Sequence, residues 1–243
     1  SPSLPYAFSW YLDIVCPGWN ALIDGNYNAV MPLPVKKKWM IMYIYKPYYA
    51  QQLGIFCPEL PNKSLIRDFI SKIPKKYKYI NTNLNETNLL DNFEGMKVNV
   101  NHIINTSFDY KEICKNYSRN CRRNIKKATE QGLIIHHLTD IRGFVRFVYE
   151  NLEKQIDALD KQQCIMLEKL IETSTNRGLG QIYGAFLPEN ELCAAGFFIE
   201  TRDRCVFSVC ASNKKGKETN AMYMLVNSQI EKSAGIKKWF DFS

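Results

Sequence analysis

The chain has 243 residues, with 32 Lys+Arg against 24 Asp+Glu and a formal net charge of +8. Hydrophobic residues make up 46% and charged residues 23%, a balance that excludes wholesale disorder, and no apolar run approaches the ~20 residues of a membrane-spanning helix. The length fits one large domain or two small ones. The N-terminal SPSLPYAFSW lacks the basic start and apolar stretch of a signal peptide, and without a Met it reads as the interior of a longer protein. Eight cysteines are scattered with no C-x-x-C pair, several in apolar runs such as CVFSVC and LCAAGFF, and the three histidines have no zinc-like spacing. Reduced thiols in a cytoplasmic protein, and no metal site, are expected.

In chain order, Ser9 to Val15 reads as the end of a helix stopped by Cys16-Pro17-Gly18. Strands WNALIDG and YNAVMPLPV meet at Gly25-Asn26, and the lysine triplet at 36–38 reads as a turn into a strand WMIMYIYKP. YYAQQLGIF is a loop. Residues 62–73 form a helix with Leu65, Ile66, Phe69 and Ile70 on one face, closed by Pro74 and followed by strand YKYINTNL. The Asn- and Thr-rich NTNLNETNLLDNFEG marks a linker, KVNVNHIINT alternates like a strand, and SFDYKEICKNYSRNCRRNIKKATEQG reads as a helix or helix pair. LIIHHLT is a strand whose adjacent His136 and His137 point to opposite faces, one toward core and one toward solvent. Helical stretches at 141–157 and 161–177 lead to three strands, QIYGAFL, ELCAAGFFIE and RCVFSVCAS. The loop NKKGKETN then enters a helix with Met222, Leu225, Val226 and Ile230 in a core-facing stripe, and IKKWFDF is the last strand. Three strands, a glycine loop, a helix and a strand thus occur in residues 20–83 and again in 181–242. The chain divides into units 1–105 and 106–243.

This doubled order resembles the acyl-CoA N-acyltransferase (GNAT) fold in tandem, as in the FemAB-like family of peptidoglycan aminoacyltransferases and their acetyltransferase-like relatives. SRNCRRNIKKATEQGLII is similar to the basic segment before the second unit of that family, IKKWFDFS to its strand ending in Asp-Phe, and QQLGIF to a first-unit segment of bacterial members. The resemblance implies an α+β chain of two GNAT-like units, each a mixed, mostly antiparallel sheet flanked by helices, with the first unit incomplete. It implies an N-acyltransferase carrying an acyl group from acetyl-CoA or another acyl-CoA to an amine. Two alternatives stay open: transfer from aminoacyl-tRNA to a peptidoglycan-precursor amine, and a catalytically inactive GNAT-like binding domain. A complete GNAT unit has a helix and two strands after its fifth strand; here the sequence ends at Ser243.

In such a fold the donor's arm pairs with the fourth strand, which places Val209, Cys210 and Ala211 against it. The pyrophosphate would sit on the loop after that strand, at Asn213, Lys215 and Gly216. The family pattern there is Gln or Arg, two residues, Gly, one residue, then Gly or Ala; this loop has Asn213, Gly216 and Glu218. The first unit offers Gln51 and Gly54, with Phe56 in the small-residue place. The other reading of both glycines is a plain turn before a helix. Arg119, Arg122, Arg123 and Lys126 follow i, i+3, i+4, i+7 spacing, so they share a helix face that fits the phosphates of a nucleotide-linked substrate or of tRNA, or is simply solvated. An amine acceptor must lose a proton to attack, so a general base is expected. Asp241, ending the last strand, is the topological candidate, against a surface Asp at a strand end. Tyr223 is a candidate general acid, against packing. Cys210 has no sequence-local His and reads as a core thiol rather than a nucleophile.

Overall fold

The structure, a computed structural model, describes residues 3–91, 95–152 and 160–242. It forms two compact units, Ser1–Asn101 and His102–Ser243. The division falls ahead of residues 103–105, which pair with the last strand and so belong to the second unit rather than the first. Among the described residues no helix is long and apolar enough to cross a membrane, and no group of three or more His, Cys, Asp or Glu could hold a metal ion.

In the first unit, helix α1 (Ser9–Val15) precedes the antiparallel hairpin β1 (Asn20–Asp24) and β2 (Ala29–Leu33). After Pro34 the chain continues as β3 (Val35–Lys38), which turns back into β4 (Ile41–Ile44). The lysine triplet is therefore strand, and the turn is Trp39-Met40, both at positive φ (51° and 67°). Lysines suggest a turn because they are polar; here Lys36 and Lys38 stand on the outer face opposite Tyr43 and Ile41, while Val35 and Met42 pack toward the core. Helix α2 (Lys63–Ser71) is capped by the Asn62 side chain and buries Ile66 and Phe69. β5 (Tyr77–Ile80) then pairs parallel to β4. The core gathers Met31, Leu33, Ile44, Ile55, Ile66, Phe69 and Tyr77.

The second unit is built on one six-stranded sheet in the order β6-β11-β10-β9-β8-β7. Its strands are β6 (Ile103–Asn105), β7 (Ile134–Leu138), β8 (Gly180–Phe186), β9 (Leu192–Glu200), β10 (Arg204–Ser212) and β11 (Trp239–Asp241). All neighbours are antiparallel except β10 and β11. The place beside the fifth GNAT-like strand, β11, is filled by β6 from upstream. The basic region is a helix pair, α3 (Tyr110–Lys115) and α4 (Arg119–Glu130), separated by the N-cap Ser118. Helices α5 (Ile141–Asn151) and α6 (Lys161–Asn176) pack on each other and on the sheet; the expected helical residues 153–157 lie outside the described residues. The glycine loop forms a short helix α7 (Lys214–Glu218), followed by α8 (Ala221–Ser233), which packs against α4 and the sheet. Leu225 and Ile230 of the expected stripe are buried, with Met222 and Val226 packed beside them. His136 and His137 are both exposed, so neither is a core residue; their rings pack on Phe186 and Tyr183.

The order of elements does recur. In each unit antiparallel strands lead to a helix and then to a strand parallel to the last of them. The first unit, however, divides them between a sheet β1–β2 and a sheet β3–β4–β5 where a single sheet is expected, because Pro34 separates β2 from β3.

Candidate functional site

The feature that singles out the second unit is a partly unpaired strand. β10 is nine residues long, but β11 pairs only with residues 204–206. Between Phe207 and Val209 the register against β9 slips, leaving Ser208 as the extra residue of a β-bulge. Phe207 and residues 209–212 pair with β9 alone, so one edge of the backbone from 207 to 212 has no strand partner among the described residues. Such an edge offers N–H and C=O groups to an extended, amide-bearing chain. Val209, Cys210 and Ala211 lie on it, and residues 207–210 are half-buried rather than sealed. The Ser208 hydroxyl is buried without a hydrogen-bond partner, a costly state that a carbonyl on a bound molecule would relieve. Sequence reasoning passed over Ser208; its signal was a single polar side chain interrupting CVFSVC. Burial pushes the Cys210 thiol above its ordinary value, so it stays protonated at neutral pH and is a poor nucleophile.

The loop after β10 does not form an open phosphate cradle. Asn213 caps α7, its Oδ1 accepting from Gly216 N at 2.8 Å, while its Nδ2 donates to Leu192 O at 3.1 Å and its backbone N donates to Cys193 O at 3.1 Å. Gly216 is glycine because of β9: a Cβ there would lie 2.0 Å from Cys193 O. Lys215 is exposed and paired with Glu191. The Gly216 N–H is thus bonded within the chain, and its lack of a side chain is accounted for by packing.

The first-unit loop is closed in another way. Gly54 adopts φ 85°, and a Cβ on it would meet Asn88 Oδ1 at 2.3 Å. Asn88 accepts from Ile55 N at 2.6 Å and donates to Ile55 O at 3.1 Å. Asn85 donates to Leu53 O and Ile55 O at 2.9 and 3.0 Å. Gln51 contributes its carbonyl to Asn83 Nδ2 at 3.0 Å. Both asparagines are almost fully buried, 3% and 4% exposed, so the loop backbone is satisfied inside the unit.

Asp241 is at the point where β10 and β11 part, opposite Val206, and is not a surface carboxylate. It is fully buried and ion-paired to Arg204, itself 1% exposed, with Nη1 to Oδ2 at 2.5 Å. The carboxylate is committed to holding a buried guanidinium. Sequence reading missed the partner, whose signal was an Arg opening the otherwise apolar strand RCVFSVCAS. Tyr223, in the first turn of α8, is exposed at 39%.

The basic residues of α4 have different tasks. Arg122 folds back to donate to Tyr117 O and Lys115 O, tying the two helices of the pair across their break. Arg123 donates to Asn120 Oδ1 at 2.7 Å, and Lys126 lies 3.7 Å from Glu130. Lys127 donates to Glu218 O at 3.1 Å, which joins α4 to the end of α7. Arg119, Arg123 and Lys126 remain exposed. Beneath them Asn227 of α8 bonds both Tyr110 and Tyr117; burial and the neighbouring Cys114 push the Tyr110 phenol up to about 12.

No family model and no curated protein matches the sequence. Solved structures do. FemX superposes with a TM-score of 0.66 at 11% identity, over 99% of this chain and 82% of that one. L-PGS from Bacillus licheniformis gives 0.54 at 11% identity, over 96% and 70%. The C-terminal domain attributed to a lysylphosphatidylglycerol synthetase of Agrobacterium fabrum gives 0.52 at 8%, over 96% and 72%. At these identities the likeness defines the fold: the chain has a FemAB-like fold of two GNAT-like units in tandem.

Proposed function

We propose that the chain is an acyltransferase that moves an aminoacyl group from tRNA to an amine acceptor along the open edge of β10. The observation that carries this reading is the unpaired backbone of residues 207–212 beside the buried, unpartnered Ser208 hydroxyl. An acyl-CoA donor, expected from the resemblance, needs a pyrophosphate cradle, and the residues present do not fit one: Gly216 N is held by Asn213, and Gly54 is packed under Asn88. Aminoacyl-tRNA needs no such cradle. One similar structure is attributed to a synthetase whose name denotes a lysyl group joined to phosphatidylglycerol, which is aminoacyl transfer on this fold. The FemAB-like resemblance makes an amine of a peptidoglycan precursor the acceptor.

The chemistry is one displacement. The neutral amine attacks the acyl carbonyl, the bond to the tRNA ribose oxygen breaks, that oxygen gains a proton and the nitrogen loses one. Charge builds on the carbonyl oxygen, where strand N–H groups and the Ser208 hydroxyl stabilise it. Tyr223 supplies the proton to the leaving oxygen. Arg119, Arg123 and Lys126 on α4 attract tRNA phosphates, so binding should weaken steeply with salt. A raised Cys210 thiol is a poor nucleophile, which agrees with direct transfer.

Thermal denaturation with tRNA, aminoacyl-tRNA, acetyl-CoA and longer acyl-CoAs, followed by transfer assays to a panel of amines, tests this. A ligand at a hundred times its Kd stabilises by about 2.7 kcal/mol, or about 5–11 °C for a chain this size. The expected result is a shift with aminoacyl-tRNA and none with acyl-CoA. An acyl-CoA shift with turnover restores the coenzyme donor; ligand binding without transfer to any amine marks an inactive binding domain.

A further inference from the structure

The β3–β4 hairpin of the first unit carries features that its fold does not need. A two-residue hairpin turn with both residues at positive φ is a type I′ turn, whose preferred pair is Asn-Gly. Here the pair is Trp39-Met40, at φ 51° and 67°, which costs backbone energy in bulky L-residues. The side chains recover nothing from packing: Trp39 is 86% and Met40 82% exposed. Strain and exposed apolar surface at the same two residues point to a use outside the unit.

The surroundings define what that use is. Ile41 and Tyr79 are also exposed, and with Lys38, Trp39 and Tyr43 they line an apolar groove of about 330 Å³. Lys38 lines the groove and the strands around it are rich in lysine. Residues 35–46 and 72–80 together contain eight lysines, Lys36, Lys37, Lys38, Lys46, Lys72, Lys75, Lys76 and Lys78, and no Asp or Glu. Among the described residues Lys72 alone of these is ion-paired, to Asp68. Exposed tryptophan and methionine at the turn, with Ile41, Tyr79 and Lys38 beside them in one groove, match the boundary between lipid headgroups and acyl chains. Lysines near an anionic leaflet add attraction that the apolar tip alone lacks. We infer that this hairpin is an anchor that docks the first unit on an anionic phospholipid surface, Trp39 and Met40 inserting at headgroup depth. A single-stranded nucleic acid would also use aromatic and cationic groups, but it gains nothing from Met40 and Ile41 at the tip.

Sedimentation of the full chain with vesicles tests the assignment, using phosphatidylcholine alone and equal parts phosphatidylcholine and phosphatidylglycerol. The chain is expected to pellet with the anionic vesicles, with a blue shift in tryptophan emission, and much less with the neutral ones. W39N/M40G installs the pair the turn prefers, so it should melt at or above the wild-type temperature while binding falls about tenfold or more. K36Q/K37Q/K38Q, altering exposed side chains only, should weaken binding by a similar factor and remove most of its salt dependence. Equal binding to both vesicle types, no binding to either, or W39N/M40G binding like wild type would each overturn the anchor. Single-stranded RNA binding that W39N/M40G abolishes, without vesicle binding, would assign the hairpin to nucleic acid instead.

Discussion

Replacing Asp241 by Asn separates a buried structural ion pair from a catalytic base. The carboxylate is fully buried, 2.5 Å from an Arg204 guanidinium that is 1% exposed. The Asn side chain keeps the shape but removes the charge that faces the buried Arg204 guanidinium at the point where β10 and β11 part. Breaking one partner of such a pair costs about 3–5 kcal/mol, and at about 2–4 °C per kcal/mol the melting temperature should fall by about 6–20 °C. Replacing both partners by apolar residues, R204M/D241L, removes both charges, and most of the loss should return. Scanning calorimetry reads both variants, and Trp239, one strand over from Arg204, reports on the same transition by fluorescence. Transfer per folded molecule should change little in either. If Asp241→Asn melts like wild type yet loses all transfer activity, the ion-pair reading is wrong and Asp241 is the base after all.

Gly216→Ala tests why that glycine is there. Its Cβ would lie 2.0 Å from Cys193 O, against 3.4 Å for an ordinary contact, so α7 must move about 1.4 Å and loosen the Asn213 bonds. Overpacking of this kind costs about 1–3 kcal/mol, visible as an earlier midpoint in urea; unchanged stability with lost donor affinity would show a phosphate cradle instead. Alkaline pH supplies the remaining test. Burial pushes the Cys16 and Cys205 thiols up to about 12 from 9.0, and the Tyr45 phenol up to about 12 from 10.0. Groups whose folded pKa is raised give stability that is whole below the unfolded value and lost as pH rises toward the folded one. Melting temperature followed by circular dichroism should therefore decline from about pH 9 upward, and a flat profile to pH 11 would contradict the buried thiols.

The order of elements was legible because periodicity and punctuation survive in a single sequence. Pro74 follows a helix that the structure keeps as α2, and the stripe of Met222, Leu225, Val226 and Ile230 faces the core from α8. The misreadings have physical causes. The lysine triplet looked like a turn because its outward side chains are solvated, whereas the turn itself uses a Trp-Met pair that no propensity favours. Residues 213–218 looked like a loop because a five-residue helix is too short for a periodic signal. Asp241 looked exposed because its partner is 37 residues away. Pairing across that separation is a property of the sheet, and neither residue announces it alone.

The two units show the same order of elements put to different ends. In the first, β5 pairs with β4 at Met42 and again at Ile44, Asn81 N donates to Ile44 O, and the carboxamides of Asn85 and Asn88 fill the glycine loop. In the second, the glycine loop is likewise closed by an asparagine, but β11 stops after three pairs and six residues of β10 keep a free edge. A backbone edge that is neither paired nor covered is a liability unless something binds it. The bulge at Ser208 sets where pairing ends, and the Arg204–Asp241 pair fixes the last closed step before it. The proposed transfer therefore uses the second unit. The first, closed at its core and exposed at its hairpin tip, has the form of a unit that holds a surface rather than a substrate.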